Sequence, residues 1–357
     1  MIGVSLFANV GIGETYAESN GVRIAVANEL LEDRAEFYRK MHPNTCMIQG
    51  DITDSLVYSE LLAKAKSENC DFLLATPPCQ GMSNAGKQIP DDERNLLIKY
   101  AVSFINDLSP KYAVIENVPQ MLKTPITTKQ GLKIIPYYIT DVLGDKYKIN
   151  FRVIDAADYS TPQHRKRAIF LLHQGETFWD FPETEKRITV REAIGDLPSL
   201  ESGQSSDIPY HNAKAHSEHH VVIMRHTPTG KSAFENEFHY PKRKDGKRVT
   251  GFKTTYKRMD WDRPAPTVTM GNGAISSQNN VHPGTRLPDG TYSDARVLTL
   301  KELFRVTGLP EDWTPPEDAS DSLIRKVIGE CLPPKLLSSL LTTIPDKSQK
   351  GCKQYEL

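Results

Sequence analysis

Cys79 stands in the run Thr76-Pro77-Pro78-Cys79-Gln80-Gly81, directly after a short apolar stretch, Phe72–Ala75. The two prolines fix the backbone that approaches it, so its sulfur is aimed rather than mobile. A cysteine on a strand-end loop packs poorly and is a good nucleophile, provided a nearby cation or donor favours the thiolate. A second apolar run, Ala113–Ile115, ends at Glu116-Asn117-Val118-Pro119 and brings a carboxyl group within plausible reach. Beside an anionic sulfur that carboxyl can stay protonated and act as a hydrogen-bond donor. A third constellation sits near the N-terminus. Gly11-Ile12-Gly13 is a glycine turn after a strand, without the full G-x-G-x-x-G fingerprint. Glu29, at the end of the second strand and about twenty residues on, stands where a ribose hydroxyl pair would be gripped. Asp51, at the end of the third, could read an adenine amino group. Taken singly, each acid reads as a solvated turn or helix cap. Together with the turn, in register at one sheet edge, they favour an adenosine-containing cofactor.

The elements that position these residues alternate. Ile2–Ala8, Val22–Ala27, Met47-Ile48, Phe72–Ala75 and Ala113–Ile115 read as strands. Glu14–Ser19 reads as a helix start, and Arg34–Met41, Leu56–Ser67 and Leu96–Leu108 as helices. Continuous apolar strands alternating with helices predict a parallel α/β sheet. In such a sheet the ligand crevice lies beyond the carboxyl ends of the strands, where Asn9-Val10-Gly11, Glu29, Asp51, Cys79 and Glu116 all fall. After about Leu172 the texture changes to Pro, Gly and Ser, and helical patterning returns from Leu298. Lys347–Leu357 reads as a frayed tail.

The chain has 357 residues, 25% of them charged and 38% apolar, with a net charge of −1. This composition excludes a disordered chain and, at roughly 150 residues per domain, suggests two domains. No apolar run approaches the roughly 20 residues needed to span a bilayer, and Met1-Ile2-Gly3-Val4-Ser5-Leu6 lacks a basic signal region. The five cysteines form no CxxC pair, so neither a disulfide framework nor a structural zinc site is expected, and the cytoplasm is the natural compartment. Tyr240–Arg258 holds eight basic residues against one acid, a net +7 that leaves −8 for the remainder. Half of the ten histidines lie between His211 and His226. Their spacing suits no metal framework, and loop histidines on the surface or facing a bound partner are the better reading.

In content and order these motifs resemble the DNA (cytosine-5)-methyltransferases of bacterial restriction–modification systems, over nearly the whole chain. Phe7-Ala8-Asn9-Val10-Gly11 resembles the cofactor turn, Pro77-Pro78-Cys79-Gln80-Gly81-Met82-Ser83 the nucleophile loop and Asp92-Glu93-Arg94-Asn95-Leu96-Leu97 its continuation. Glu116-Asn117-Val118 resembles the acid motif, and Pro162-Gln163-His164-Arg165-Lys166-Arg167 the Q-x-R-x-R strand. Arg263-Pro264-Ala265-Pro266-Thr267-Val268-Thr269 resembles the segment that braces the recognition domain, and Val327–Pro334 the closing motif. Two departures stand out. The family's turn reads F-x-G-x-G-G, whereas Asn9 and Ile12 replace its first and third glycines, and Gly13 could shift the turn by one position. Glu330 stands where the closing motif has Asn, which would place an extra acid near the cofactor.

The resemblance implies a Rossmann-like S-adenosylmethionine-dependent methyltransferase sheet with an inserted smaller target-recognition domain. The catalytic domain would span 1–172 and 298–357, and the recognition domain 173–297. Cys79, Glu116, Asn117 and Arg165 would be catalytic. Phe7, Gly11, Glu29, Asp51, Ile52, Pro78 and Leu97 would hold S-adenosylmethionine and its product S-adenosylhomocysteine. Ser83, Gln163, Arg167, Lys242, Arg243 and Lys244 would contact DNA, and no metal is implied. The target cytosine must leave the duplex stack, with 81–94 as the lid over it. The implied partners are double-stranded DNA and a separately acting restriction endonuclease, with no membrane, for a monomer located on the nucleoid in the cytoplasm. A transfer-RNA cytosine-5 methyltransferase of the same fold is the alternative.

Overall fold

The computed structural model describes residues 1–78, 93–243, 245–249 and 251–345. Cys79, Gln80, Ser83 and most of the expected lid, together with Lys244 and the tail from 347, lie outside the described residues. The chain divides into two compact units. The first comprises Met1–Asp155, Lys166–Thr184 and Leu336–Leu357, and the second Ala156–Arg165 and Glu185–Lys335. These bounds differ from those read in the sequence. Residues 298–335 belong with the second unit, and 156–165 is a short excursion into it.

The first unit is built on β1 (Ile2–Leu6), β2 (Arg23–Glu29), α1 (Glu32–Met41), β3 (Cys46–Gln49), α2 (Ser55–Ser67) and β4 (Phe72–Ala75). It continues through α3 (Leu97–Leu108), β5 (Tyr112–Asn117), the hairpin β6 (Pro125–Thr128) and β7 (Gly131–Ile134), α4 (Ile135–Leu143), β8 (Lys148–Asp155) and β9 (Lys166–His173). The main sheet runs β3-β2-β1-β4-β5-β9-β8. β1 to β5 are mutually parallel, and β9 is antiparallel to both β5 and β8. β5 is buried along its whole length, as a central strand covered on both faces must be. α3 buries Ile98, Ala101, Val102, Phe104 and Ile105, one helical stripe. Each large apolar side chain on that stripe contributes about 1.5–3 kcal/mol. Asp54 caps α2 by accepting from the Leu56 N–H. The helix start expected at Glu14 is instead a 3-10 turn, Ile12–Glu14. There Thr15 Oγ1 bonds the Ile12 carbonyl and Ser19 Oγ the Tyr16 carbonyl, local bonds that compete with a continuing helix.

The second unit holds α5 (Val190–Ile194), α6 (Glu218–Arg225), α7 (Leu300–Thr307), α8 (Asp321–Glu330) and the start of α9 (Pro334–Thr342), whose residues from Leu336 return to the first unit. With little regular structure, it is tied by buried charges. Arg296 reaches Glu302 through Nη1 (2.8 Å) and Nη2 (2.9 Å) and Asp294 through Nη2 (2.9 Å). Glu302 also closes the capping box of α7 with Thr299. Burial works to raise the Asp294 and Glu302 carboxyls, but His282 and Arg296 outweigh it and hold both at about 2. His282 itself is pushed down to about 4, chiefly by burial. No helix among the described residues is long and apolar enough to cross a membrane.

Candidate active site

At the carboxyl end of β1 the chain turns through three left-handed residues, Phe7 (φ 59°), Asn9 (φ 52°) and Gly11 (φ 76°). Such a conformation is uncommon for asparagine and a genuine outlier for phenylalanine. Gly13 is not left-handed, so the turn is not shifted; Ile12 needs no positive φ and buries its side chain. Glu29 pins the turn from β2. Its Oε2 accepts from the Asn9 N–H (2.9 Å) and its Oε1 from the Leu31 N–H (3.0 Å), which leaves each oxygen a further lone pair. Asn9 Oδ1 is buried without a hydrogen-bond partner among the described residues. Leu30, beside Glu29, is 54% exposed and offers an apolar face at the same edge. Asp51 is exposed and closes its own turn by accepting from the Thr53 N–H, while Ile52 is buried in the core below. Leu97 opens α3, half-buried against that core.

Beyond β4, Thr76 Oγ1 donates to the Phe7 carbonyl (3.0 Å), and Asn117 Nδ2 donates to the Pro77 carbonyl (2.9 Å). The backbone leading through Pro78 to Cys79 is thereby held from both sides. Asn117 Oδ1 accepts from the Val118 N–H, which fixes the amide's orientation. Next to it on β5, Glu116 Oε1 lies 2.6 Å from Arg167 Nε, with the two side chains only 10% and 11% exposed. The antiparallel run of β9 makes this pairing. It brings the start of β9 alongside the end of β5, where Asn117 opposes Ala168.

The model of the C-5 cytosine-specific DNA methylase family matches residues 1–346. The chain belongs to that family. This methylase is 48% identical over 349 residues to the Type II methyltransferase M1.HgaI of Avibacterium volantium, covering 96% of this chain and 98% of the relative. It is 27% identical to M1.HphI of Haemophilus parahaemolyticus, over 96% and 86% of the two chains. Among solved structures, a prophage-encoded DNA modification methyltransferase from E. coli superposes with a TM-score of 0.69 at 18% identity, over 96% and 98% of the two chains. Spodoptera frugiperda DNMT2 follows at 0.63 and 15%, over 96% and 98%. These likenesses show the fold. Family membership makes the methylase a DNA cytosine-5 methyltransferase of a family that depends on S-adenosylmethionine.

The structure redistributes the Q-x-R-x-R residues. Arg165, expected at the reacting base, is buried in the second unit, where Nη1 donates to the Val268 carbonyl (2.9 Å) and Nη2 to the Gly329 carbonyl (3.0 Å). Gln163, expected at DNA, is 1% exposed and spent on the Val306 carbonyl and the Val268 N–H. Arg167, also expected at DNA, is the arginine on Glu116. In the basic segment Lys242 and Arg243 are exposed on a turn, the former over the Tyr240 ring. Arg258 is fully buried, with Nη1 on the His282 and Asp294 carbonyls and Nη2 on that of Met224, so the exposed strip is one charge poorer than the sequence suggests. The loop histidines are also not uniformly exposed. His211 is buried between Thr299 Oγ1 and the Pro198 carbonyl, and His216 accepts from the Val297 N–H. Leu30 and the Glu116–Arg167 pair were not anticipated; the sole signal was their place at strand ends.

Proposed function

We propose that the crevice beyond β1, β2, β4 and β5 of the first unit is where this methylase attacks cytosine, with Cys79 as nucleophile, Glu116 and Arg167 at the ring and Asn117 as the clamp of the nucleophile loop. One observation carries the reading: a single strand end, Glu116-Asn117, holds both the carboxyl–guanidinium pair and the bond that fixes the backbone two residues before Cys79.

Cytosine C5 is too weak a nucleophile for direct methylation. The Cys79 thiolate adds to C6, and Glu116 hydrogen-bonds and protonates N3, which turns C5 into a nucleophilic enamine carbon. Arg167 holds Glu116 in place and presents its remaining N–H groups to the base carbonyl. After C5 is methylated a base takes the C5 proton, β-elimination returns the electron pair to sulfur as N3 gives its proton back to Glu116, and Cys79 is freed as thiolate. The first-unit turn fits an adenosyl group: Asn9 Oδ1 is a buried acceptor in want of a donor, Glu29 keeps lone pairs for ribose hydroxyls, and Leu30 supplies an apolar face. Phe7, Gly11, Asp51, Ile52, Pro78 and Leu97 complete the cradle. S-adenosylmethionine, when bound, supplies an electrophilic methyl group. The second unit serves target recognition, with Lys242, Arg243 and Lys244 on phosphates or base edges of double-stranded DNA. The protein acts as a cytoplasmic monomer, and the Type II names of its relatives favour a separate restriction endonuclease beside it.

Duplex DNA carrying 5-fluorocytosine in its target site, incubated with S-adenosylmethionine, tests this. The fluorine cannot leave as a proton does, so mass spectrometry finds a covalent adduct at Cys79. Absence of the adduct, or methyl transfer to transfer RNA and not to duplex DNA, overturns the proposal.

A further inference from the structure

The turn beyond β1 carries two side chains where the family has glycine, yet three of its residues stand in the left-handed region. A turn of that kind needs more than its own sequence to hold it. Glu29 secures one side of it, as described. The other side is held by a buried polar cluster that joins the 3-10 turn to α1. Glu14, whose N–H closes the turn on the Gly11 carbonyl, is 6% exposed and accepts a 2.5 Å hydrogen bond from the fully buried Tyr38 hydroxyl. Ser5 on β1 faces the same carboxyl group and eases its charge, and Thr45, whose hydroxyl donates to the Ile24 carbonyl (2.8 Å), faces the Tyr38 hydroxyl. His42, just past α1, leans on the Tyr38 ring with centroids 4.5 Å apart. It also fills the space beside Gly11, where a Cβ would sit 2.2 Å from its Nε2. A carboxyl group is costly to bury, and burial pushes that of Glu14 up against the opposing pull of His42. No step proposed above uses Glu14, Tyr38 or His42.

We infer that Glu14, Tyr38 and His42 form a clamp between the turn and α1 that sets the strained turn for S-adenosylmethionine, and that they are positioning residues for cofactor binding. The inference rests on the reading that the cofactor lies on this turn. The clamp works through geometry. Tyr38 fixes Glu14, Glu14 fixes the end of the turn, and His42 bars Gly11 from relaxing backwards. The turn therefore keeps Phe7 and Asn9 in place despite the missing glycines.

Tyr38→Phe, Glu14→Gln, their double variant and His42→Ala provide the test. Binding of S-adenosylhomocysteine is measured by calorimetry without DNA, alongside thermal unfolding without ligand and steady-state kinetics. Loss of one buried hydrogen bond in Tyr38→Phe is expected to weaken S-adenosylhomocysteine about tenfold. KM for S-adenosylmethionine rises in parallel, while kcat and KM for DNA hold. Glu14→Gln, whose amide oxygen still accepts from Tyr38, loses less, and the double variant is no worse than Tyr38→Phe. His42→Ala, which frees Gly11 without touching the Tyr38–Glu14 bond, weakens binding independently and serves if Tyr38→Phe does not fold. Variants that unfold earlier yet bind S-adenosylhomocysteine as the unsubstituted protein does overturn the clamp and leave the cofactor reading intact. Failure of the unsubstituted protein to bind S-adenosylhomocysteine overturns both.

Discussion

Arg167→Ala is expected to cut methylation by about two orders of magnitude in a protein that still folds, though less stably, and Arg165→Ala to cost stability while the folded protein keeps its rate. The two residues stand two positions apart in one motif, so the contrast comes from their surroundings alone. Arg167 Nε lies 2.6 Å from Glu116 Oε1, and both side chains are about nine-tenths buried. Removing one partner of a buried pair leaves an uncompensated charge at a cost of about 3–5 kcal/mol. If about 3 kcal/mol of that appears in the barrier to cysteine addition, the rate falls by about two orders of magnitude. Arg165 gives two charge-assisted bonds to buried carbonyls, each worth about 1.5–3 kcal/mol. Its loss is therefore a stability loss, lowering the unfolding midpoint by about 2–4 °C per kcal/mol in units of this size. The assays are single-turnover methylation, adduct formation with 5-fluorocytosine duplex and calorimetric unfolding, run where each variant is still folded. Glu116→Gln/Arg167→Ala supplies the control: with no buried charge left, stability recovers and the rate does not. A folded Arg167→Ala that forms the adduct within tenfold of the unsubstituted rate would refute the reasoning, as would a folded Arg165→Ala that forms none.

Asn117→Ala removes the bond to the Pro77 carbonyl and leaves that acceptor unsatisfied, a cost of about 1–3 kcal/mol. Single-turnover rates should fall about tenfold or more with little change in DNA affinity, and an unchanged rate counts against the clamp on the nucleophile loop. Acid should unfold the second unit in two stages. His282, neutral in the fold with its pKa held at about 4, contributes stability at neutral pH that is lost as pH falls from about 6.5 towards 4. Asp294 and Glu302, held at about 2, add a further loss of order 2–3 kcal/mol each as pH falls from about 4 towards 2. Unfolding midpoints from pH 8 to 2 check both, and His282→Gln should erase the first stage and weaken the second, since His282 helps to hold both carboxyls down. Neutralising Lys242, Arg243 and Lys244 together should flatten the salt dependence of DNA binding by about three charges' worth of slope, whereas Arg258→Gln should cost stability instead. Affinities across a salt series separate the two outcomes.

The parallel half of the sheet was legible because its strands are short, continuous apolar runs bounded by turn residues. Phe72–Ala75 is β4 at the same bounds, framed by Asp71 before it and Thr76-Pro77 after it. β5 runs longer than Ala113–Ile115, since Tyr112, Glu116 and Asn117 extend it. The polar pair at its end breaks the apolar pattern where the chemistry sits. The antiparallel edge was not legible. β8 alternates weakly, and its pairing with β9 spans the 156–165 excursion, which no local pattern announces. The two arginines could not be ranked from sequence because residues two apart share a face in any extended chain. Arg167 enters a strand that meets Glu116, while Arg165 ends the excursion among carbonyls of the second unit. Arg258 and His211 were misplaced for a related reason. Charge and polarity argue for exposure unless buried carbonyls or hydroxyls await them, and such partners lie far along the chain.

The excursion 156–165 also governs how specificity could be exchanged between relatives. A chimera that swaps only residues 185–335 would bring in a foreign second unit and keep the host's Gln163 and Arg165. Both would then seek the Val268, Val306 and Gly329 backbone that the swap has replaced. A working graft must splice at four seams rather than two, on either side of 156–165 as well as at 185 and 335. Recombination in nature faces the same cut. Exchange of whole recognition units is then expected to leave breakpoints inside the Asp155 and Lys166 flanks, with the ten-residue peg travelling alongside its socket.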